Sequence, residues 1–427
     1  MKVFRDPIHN VIDLDTGDKN VNNLILKLID SQEFQRLRYI KQLGFVYFAY
    51  PSANHTRFEH SIGVAFLAKR FVEKIISTEE RVLSIYSGKD YDLLKNFYNQ
   101  INEDRHITII AALLHDIGHG PFSHVFERIT GISHEDWTRE IILGNTNINR
   151  LLKEFNPSYP QKICSLLTSP DTTTPSAQII AGQMDVDKMD YLLRDSHMTG
   201  SGYGKYDIEW LFNVLTVGVV NNHAEIGLDE GKGASVAEDF VMARIYMFRN
   251  VYLHKTSQIT QEMLYLLIKR INENKNININ ENLKKILFAN NKKQPNVLLN
   301  SYLSISDIDM LYLLKTLQNS NDDILKNISS GILNRHLFKN VDEKTWNKAY
   351  DTINNKEYYL TKIELGERKE KLVCHPDKEN INLFNKNGEC FSLFEKSSIL
   401  PTEIKESIYP TEYYIDRDIY KQGGITN

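Results

Sequence analysis

Four side chains suited to binding a metal ion are spread over three segments of this 427-residue chain: His60, the adjacent pair His115 and Asp116, and Asp187. Imidazole and carboxylate ligands without cysteine suit a divalent ion such as Mg²⁺, Mn²⁺ or Fe²⁺ and argue against structural zinc. Neighbouring residues of a helix point about 100° apart, so His115 and Asp116 would reach one ion from adjacent edges. The remaining ligands must therefore come from other helices.

Basic and aromatic side chains lie close to these four positions along the chain. Arg57 comes three residues before the first histidine, on the same face if that segment is helical, and Lys188 and Tyr191 follow the last aspartate. Arg244 lies on a later helical segment. A phosphate ester carries negative charge, so cations in addition to a metal ion favour holding one. These residue types indicate a phosphate ester as the ligand.

Three further histidines, His119, His124 and His134, follow the His-Asp pair. A Gly-Pro dipeptide breaks the helix between the first two. His124 and Glu127 would share a face of the next helix, where Glu127 can orient the imidazole and raise its pKa, as a general acid requires. This second group is predicted to act on the substrate rather than on the metal.

The elements that must position these residues are predicted to be mainly helical over the first 260 residues. Apolar residues recur at close to helical spacing in 29–43 and 61–76, and 107–117 is apolar on almost all sides until the His-Asp pair. Residues 234–255 contain no internal Gly or Pro and predict another long helix.

Composition changes after about residue 270. Stretches rich in Asn and Lys at 272–282 and 290–296 predict surface linkers, with helices at 283–288 and 305–317. Alternating residues predict short strands at 358–365, 371–374 and 390–394. The fold class is therefore mainly α, with a large helical body and a small α+β C-terminal subdomain. Residues 1–270 are assigned to the catalytic core, and 271–427 to a C-terminal oligomerisation or regulatory region.

Overall composition limits the environment and the partners. The formal net charge of −4 does not indicate a nucleic-acid-binding surface. Three cysteines without paired metal spacing suggest reduced thiols, and the N-terminal residues lack a signal peptide. No window approaches the length and apolarity of a membrane span. A cytoplasmic protein that does not contact a membrane is expected.

The motifs together resemble the HD-domain phosphohydrolase superfamily, and more closely the catalytic core of the SAM-and-HD-domain dNTP triphosphohydrolases, without a SAM domain. The matching stretches are 2–9, 34–44, 55–64, 115–124 and 185–195. The similarity runs to about residue 260, with an island at 334–339. An HD-domain helical body that binds a divalent metal through His60, His115, Asp116 and Asp187 is what the resemblance implies.

The resemblance also implies roles for the surrounding residues. The positions matching phosphate contacts are Arg57, His119, Lys188, Tyr191 and Arg244. Those matching the surroundings of the deoxyribose are Gln42, Leu43, Asp195 and Tyr252. The catalytic cluster beside the α-phosphate would be His124, Glu127 and His134. The expected reaction converts dNTP and water to deoxynucleoside and triphosphate, with water attacking the α-phosphorus and His124 protonating the 5′-oxygen.

Selection for deoxyribose follows from the types of the sugar-site residues. Asp195 and Gln42 can hydrogen-bond a 3′-hydroxyl, while Leu43 and Tyr252 crowd the 2′ position. An apolar wall rejects an added hydroxyl because that hydroxyl would be buried without a partner. Base preference is not readable from these residues.

The resemblance extends to an effector site for a guanine nucleotide, GTP or dGTP. The matching positions are Lys2, Val3, Asp30, Gln35, Arg38 and Lys255. Asp and Arg have the acceptor and donor groups that guanine requires. Asp207, Lys232, His254 and Lys255 fit an adjoining second effector site, but Arg5, Trp210 and Val236 depart from its pattern. Effector sites of this family lie between subunits, which implies a homotetramer.

Two other interpretations remain open at this stage. The chain could be another HD phosphohydrolase acting on monophosphates, cyclic nucleotides or alarmones, although Arg57, Lys188 and Arg244 would be excessive for a monophosphate. It could instead be a catalytically silent module that binds nucleotides or nucleic acid. The intact metal residues and His124 argue against a silent module.

Overall fold

The computed structural model describes residues 2–274, 277, 279–289, 294–364, 380–400 and 411–422. Within them the protein is mainly α, as predicted. The helices are Lys19–Ile29, Gln32–Gln35, Arg57–Ser77, Glu79–Leu83, Gly88–Leu114, His124–Thr130, His134–Leu143, Asn147–Phe155, Tyr159–Thr168, Pro175–Ala181, Val186–Thr199, Ile208–Val214, Glu230–Met247, Lys255–Glu273, Glu281–Leu287, Pro295–Leu303, Asp307–Leu317, Asp323–Leu333, Glu343–Thr352, Lys356–Tyr359, Leu393–Lys396 and Arg417–Gln422. Two 3-10 turns, Arg36–Tyr39 and Gly44–Phe48, and one π-helical turn, Phe248–Tyr252, accompany them.

Short strands form three sheets within the described residues. Val3–Asp6 and Asn10–Asp13 make an antiparallel hairpin. A four-stranded sheet has the order Leu215–Val220, His223–Asp229, Asn382–Phe384 and Cys390–Ser392, with its two middle strands parallel. A three-stranded antiparallel sheet has the order Lys339–Val341, Glu412–Ile415 and Leu360–Ile363. The four-stranded sheet joins segments from both sides of residue 270, and the boundary drawn there stays a prediction.

Several predicted elements are confirmed. The periodic segment 61–76 lies inside helix Arg57–Ser77, and 107–114 forms the last turns of Gly88–Leu114, which ends just before His115. Helices at 283–287 and 307–317 and strands at 360–363 and 390–392 also form where the sequence pattern placed them. The predicted strand 371–374 and residues 275–276, 278 and 290–293 of the two linkers lie outside the described residues.

Two predicted helices are wrong as continuous elements. The 29–43 helix is divided because Ser31 caps a new short helix, its side chain accepting from the Phe34 amide, and 3-10 and turn structure follow. The 234–255 helix ends at Met247 and passes into a π-helical turn, after which a new helix begins at Lys255. Such turns often occur at functional sites, and this one carries Tyr252.

The hairpin of 215–229 was missed within a region predicted to be helical. Its turn residues, Asn221 and Asn222, both have positive φ angles, 50° and 62°. That backbone suits a two-residue hairpin, and asparagine tolerates it better than most residues do. The Asn-Asn pair between apolar runs was therefore the available signal.

Helices Arg57–Ser77 and Val186–Thr199 carry His60 and Asp187, His115 and Asp116 directly follow helix Gly88–Leu114, and all three helices are held by apolar packing. Their inward residues, among them Ile62, Leu113 and Met189, are almost completely buried. Among the described residues, no single helix has the length and apolarity to cross a membrane. Among the same residues, the bent pair Pro295–Leu303 and Asp307–Leu317, at 78°, meets the requirements of length and composition only when its two helices are counted together.

Candidate metal centre and active site

Three of the predicted metal ligands converge at one point. The Nε2 atoms of His60 and His115 lie 3.2 Å apart, and Asp187 Oδ1 is 3.0 Å from the first and 3.5 Å from the second. His60 comes from the first turn of its helix, His115 from just beyond the end of another, and Asp187 from the first turn of a third. We call His60, His115 and Asp187 the metal cluster.

The tautomers of both histidines direct a lone pair at this point. His115 Nδ1 donates to the Ala112 carbonyl oxygen at 2.8 Å, and His60 Nδ1 is 2.8 Å from Asp190 Oδ2. The two Nε2 atoms therefore face each other and a carboxylate oxygen, an arrangement that is repulsive unless a cation lies among them. Without such a cation, burial lowers the pKa of His60 but the hydrogen bonds with Asp187 and Asp190 raise it to about 10, so a proton on Nε2 takes the place of the ion. The donor set fits a divalent ion.

A buried ionic network behind His60 was not foreseen from the sequence. Arg194 donates to Asp190 through Nε (2.7 Å) and Nη2 (2.9 Å), and through Nη1 to Asp6 Oδ2 at 2.7 Å. His9 Nε2 lies 2.6 Å from Asp190 Oδ1. Burial raises the pKa of Asp190, but Arg194 and the two histidines hold it well below its usual range. The available signal was a second aspartate one helical turn after Asp187.

The network needs a glycine on the facing helix. A Cβ atom at Gly63 would lie 2.1 Å from Asp190 Oδ1 and 2.5 Å from Arg194 Nη2. Gly63 comes one turn after His60, so the absence of its side chain lets the carboxylate approach the imidazole. Partners of this kind orient a metal ligand and raise its basicity.

Asp116 lies beside the metal cluster and is paired with Arg57. Its Oδ1 is 3.5 Å from His115 Nε2, and its Oδ2 is 3.7 Å from His60 Nε2 and 2.5 Å from Arg57 Nη1. Arg57 also donates to Ser123 Oγ through Nε and Nη2. Burial raises the pKa of Asp116, but Arg57 and the histidines hold it well below its usual range. Asp116 is thus ionised and within reach of the site.

A second group of ionisable side chains adjoins the first through Asp116. His119 Nε2 is 3.2 Å from Asp116 Oδ1, and the imidazole of His119 stacks on that of His134 with centroids 4.1 Å apart. His134 Nδ1 lies 2.8 Å from Glu127 Oε1. We call His119, Glu127 and His134 the acid-base cluster. His124 begins the helix His124–Thr130, and its side chain lies outside the described residues.

The two histidines of the acid-base cluster have opposite pKa shifts. Burial and then Arg57 hold the pKa of His119 well below its usual value. Burial also lowers the pKa of His134, but the hydrogen bond with Glu127 outweighs it and the net shift is upward. Glu127 bonds to His134, and the pairing of Glu127 with His124 that the sequence spacing suggests stays a prediction, because the His124 side chain lies outside the described residues.

Two of the residues predicted for the sugar site, Asp195 and Tyr252, are bonded to each other. Asp195 is 1% exposed; its Oδ2 accepts from the Tyr252 hydroxyl at 2.8 Å, and its Oδ1 is 2.7 Å from His55 Nε2. The rings of Tyr191 and Tyr252 meet edge to face, with centroids 6.0 Å apart. His55 was not assigned a role from the sequence, although it lies in a matching stretch.

Gln42 and Leu43 lie on the turn that precedes Gly44–Phe48. The Gln42 amide donates to the His55 carbonyl oxygen, and its side-chain Oε1 is buried without a partner among the described residues. Leu43, Tyr191 and Tyr252 are partly buried and pack against the same apolar core. Gln42 thus has an acceptor available for a hydroxyl donor.

The remaining predicted phosphate contacts, Lys188 and Arg244, have their described contacts with residues outside the two clusters. Lys188 is bonded to Asp185, the residue that caps its helix, and donates to the Gly182 carbonyl oxygen at 3.0 Å. The guanidinium of Arg244 lies 5.9 Å from the centroid of the Phe248 ring. Arg244 acts on Tyr191 electrostatically, lowering its pKa against the larger upward effects of burial and Asp187.

The predicted effector residues belong to three separate segments: residues 30–38, the N-terminal hairpin and the start of helix Lys255–Glu273. Arg38 stacks on Phe58 at 3.5 Å and donates to Gln35 Oε1 at 2.8 Å, and Asp30 is exposed just before them. Lys2 and Val3 lie at the start of the N-terminal hairpin, and Lys255 is exposed at the beginning of its helix. Only Gln35 and Arg38 of this set are bonded to each other among the described contacts.

Comparisons with known proteins identify the family of this chain. A model of the HD domain matches residues 57–195, and one of the HD associated region matches residues 219–286. The protein YwfO of Bacillus subtilis is 32% identical over 342 residues, covering 80% of this chain and 72% of YwfO. A solved phosphohydrolase structure from Bacteroides thetaiotaomicron superposes with a TM-score of 0.78 at 26% identity, covering 98% of this chain and all of that one.

The deoxynucleoside triphosphate triphosphohydrolase SAMHD1 of Bos taurus is a further relative. It is 30% identical over 300 residues, which cover 62% of this chain and 46% of that enzyme. The protein described here therefore belongs to the HD-domain phosphohydrolases and is homologous to the catalytic core of SAMHD1.

Proposed function

We propose that this protein is a metal-dependent deoxynucleoside triphosphate triphosphohydrolase, which converts dNTP and water to deoxynucleoside and triphosphate. The observation that carries the proposal is the adjacency of the two clusters: Asp116 lies between the metal cluster and His119 of the acid-base cluster, at 3.5 and 3.2 Å. A site that both polarises a phosphate and handles a proton needs these two parts side by side. The similarity to SAMHD1 supports the choice of substrate.

His60, His115, Asp116 and Asp187 are the proposed ligands of the ion. When bound, a divalent ion would polarise a phosphate oxygen and lower the pKa of water. Arg57, fixed by Asp116 and Ser123, presents a guanidinium to phosphate oxygens without a further cost of ordering the side chain.

Proton transfer is assigned to the acid-base cluster and its neighbour His124. Glu127 accepts from Nδ1 of His134 and keeps that imidazole protonated to higher pH. His119, whose pKa is lowered, stays neutral near pH 7 and can donate through Nε2 to Asp116. His124 remains the proposed donor to the leaving 5′-oxygen.

Asp195 is the proposed anchor of the deoxyribose. Each carboxylate oxygen has two lone pairs and only one described partner, so Asp195 can accept a 3′-hydroxyl while it keeps Tyr252 and His55. Tyr252 is held by this bond in the π-helical turn, where its ring can exclude a 2′-hydroxyl.

Product analysis tests the proposal directly. Purified protein is incubated with each of the four dNTPs and with Mg²⁺, Mn²⁺ or Fe²⁺, and products are separated by anion-exchange chromatography. Inorganic triphosphate and deoxynucleoside are expected in equal amounts. Release of pyrophosphate or of single phosphates would instead indicate another HD phosphohydrolase reaction.

A guanine nucleotide is the proposed effector, and a homotetramer the proposed active form. Asp30 and Arg38 are exposed and carry the acceptor and donor groups that guanine requires. GTP is expected to raise the rate of dNTP hydrolysis and the tetramer fraction in light scattering, and R38A to lose both effects. Full activity without GTP, unchanged in R38A, would contradict the effector assignment.

A further inference from the structure

A segment from the C-terminal half lies directly against the loop that joins the two clusters. The Tyr302 hydroxyl donates to the Gly118 carbonyl oxygen at 2.7 Å, and Asp307 Oδ1 accepts from the Phe122 amide at 2.8 Å. Arg36 bridges the two segments, from Nη2 to the His119 carbonyl oxygen (2.8 Å) and from Nε to that of Ile305 (3.2 Å). We call residues 302–307 the clamp segment and residues 116–123 the site loop.

The site loop has a backbone that must be held in place. Phe122 and Ser123 have φ angles of 52° and 55°, in the left-handed region that bulky residues avoid. A residue in this conformation persists only where its surroundings determine it. The Phe122 ring is fixed by stacking on Phe45, with centroids 4.1 Å apart, and its amide is fixed by Asp307.

This turn carries the residue that orients Arg57. Ser123 Oγ accepts from Arg57 Nε at 3.1 Å and Nη2 at 2.8 Å, while Nη1 of the same guanidinium bonds to Asp116. A shift of the Phe122–Ser123 backbone therefore moves the guanidinium at the edge of the metal cluster. It also moves the start of the helix that carries Glu127.

Asp307 is buried between the clamp segment, the site loop and the residues around Lys41. It is 4% exposed, and its second oxygen accepts from the Lys41 amide at 2.9 Å. Burial raises its pKa to about 6 against the opposing effects of both amides, Lys41 and Arg57. Arg36 and Tyr47 also interact with its charge. The ionised form, which has no donor, is the one that suits two amide N–H groups.

We propose that Asp307 is a positioning residue for hydrolysis, which holds the left-handed Phe122–Ser123 turn from the C-terminal half and so sets Arg57 against Asp116. Because this role concerns the hydrolytic site, it rests on the proposed function. It assigns a catalytic contribution to a part of the chain where the sequence resemblance to the family has thinned.

The variant D307N tests the role, with D309N as its matched control. The asparagine side chain of D307N would present one oxygen and one N–H₂ group to two amide donors and could satisfy only one of them. Asp309 lies on the same helix and bonds to Ser306 at the start of that helix, and no contact with the site loop is described for it. We expect kcat of D307N to fall about 10- to 100-fold with KM within about threefold, because misplacement acts on the transition state. D309N should stay within about twofold of wild type.

Two further measurements separate positioning from loss of stability. The acid limb of kcat near pH 6 should flatten in D307N, because the side chain at this position no longer titrates there. Hydrogen exchange in peptides covering residues 116–127 should be faster in D307N than in D309N, and this readout does not depend on the substrate. Faster exchange without any dNTP hydrolysis by wild type would overturn the proposed function but keep the clamp. Equal exchange and equal kcat in the two variants would overturn the clamp.

Discussion

In the metal cluster, the second nitrogen of each imidazole bonds to a buried group, His60 to Asp190 and His115 to the Ala112 carbonyl oxygen. In the acid-base cluster, the His134 and Glu127 side chains are 25% and 24% exposed, and His134 Nδ1 lies 2.8 Å from Glu127 Oε1. The first arrangement fixes the tautomers and leaves two lone pairs facing inward. In the second arrangement, His134 and Glu127 are exposed enough to exchange protons with solvent.

The backbone elements that hold the two clusters also differ, and again the metal cluster is the more rigidly held of the two. The metal cluster is carried by three long helices in ordinary backbone conformations, backed by the Asp6–Arg194–Asp190 network. In the acid-base cluster, His119 lies within the site loop and Glu127 and His134 follow it; this loop has two residues in left-handed backbone and is held by the clamp segment. Constant geometry suits a metal site, whereas a group that exchanges protons needs access to solvent and a tuned pKa.

Removing an inward-facing ligand should have the largest effect. D187A is expected to lower turnover by at least about a thousandfold and to abolish metal binding with it. Metal content and triphosphate release are measured on the same preparation. Asp239, exposed on helix Glu230–Met247, provides the control D239A, which should match wild type in both. Retained metal in D187A would contradict the assigned ligand set.

Changing the acid-base cluster should separate activity from metal binding. E127Q is expected to lower kcat about a hundredfold while metal content stays at the wild-type level. Since Glu127 raises the pKa of His134, the limb on which activity falls with rising pH should move to lower pH in E127Q. A limb that stays in place would show that another group sets it.

Disturbing the network behind His60 should weaken the metal site without removing a ligand. In G63A the added methyl group would collide with Asp190 and Arg194, and metal affinity should fall about tenfold or more. The control is G231A, where the nearest atom to a Cβ would be Asp229 Oδ1 at 3.5 Å. Titration calorimetry with Mn²⁺ compares the two. Equal affinities would mean that the network does not orient His60.

The clamp should be visible in the pH dependence of stability. The pKa of Asp307 is about 6 in the folded protein and 3.8 is its ordinary value, so its contribution to stability is full below about pH 4. That contribution is lost as pH rises through about 6. Wild type should therefore lose stability relative to D307N between pH 4 and 6 in urea denaturation. A constant difference would indicate that Asp307 is not buried as described.

Much of the candidate site could be predicted from local sequence. His60, His115, Asp116 and Asp187 stand out by residue type, and the apolar segment 107–114 fixed the helix that ends beside them. Asp190 shows the limit of prediction from local sequence. Its position one turn after Asp187 was readable, but its partners Arg194, His9 and Asp6 depend on packing between distant segments.

The sequence by itself determined the mainly helical class, the ligand types and the chemistry they favour, because helical periodicity and ligand preference are local properties. Only the tertiary structure decided that Glu127 bonds to His134, that the 29–43 and 234–255 segments are interrupted, and that residues 302–307 hold the site loop. The contacts of residues 302–307 with the site loop join residues far apart along the chain, the Glu127–His134 bond depends on how two successive helices pack, and the two interruptions are backbone conformations that helical periodicity does not reveal. No local pattern specifies such a partner.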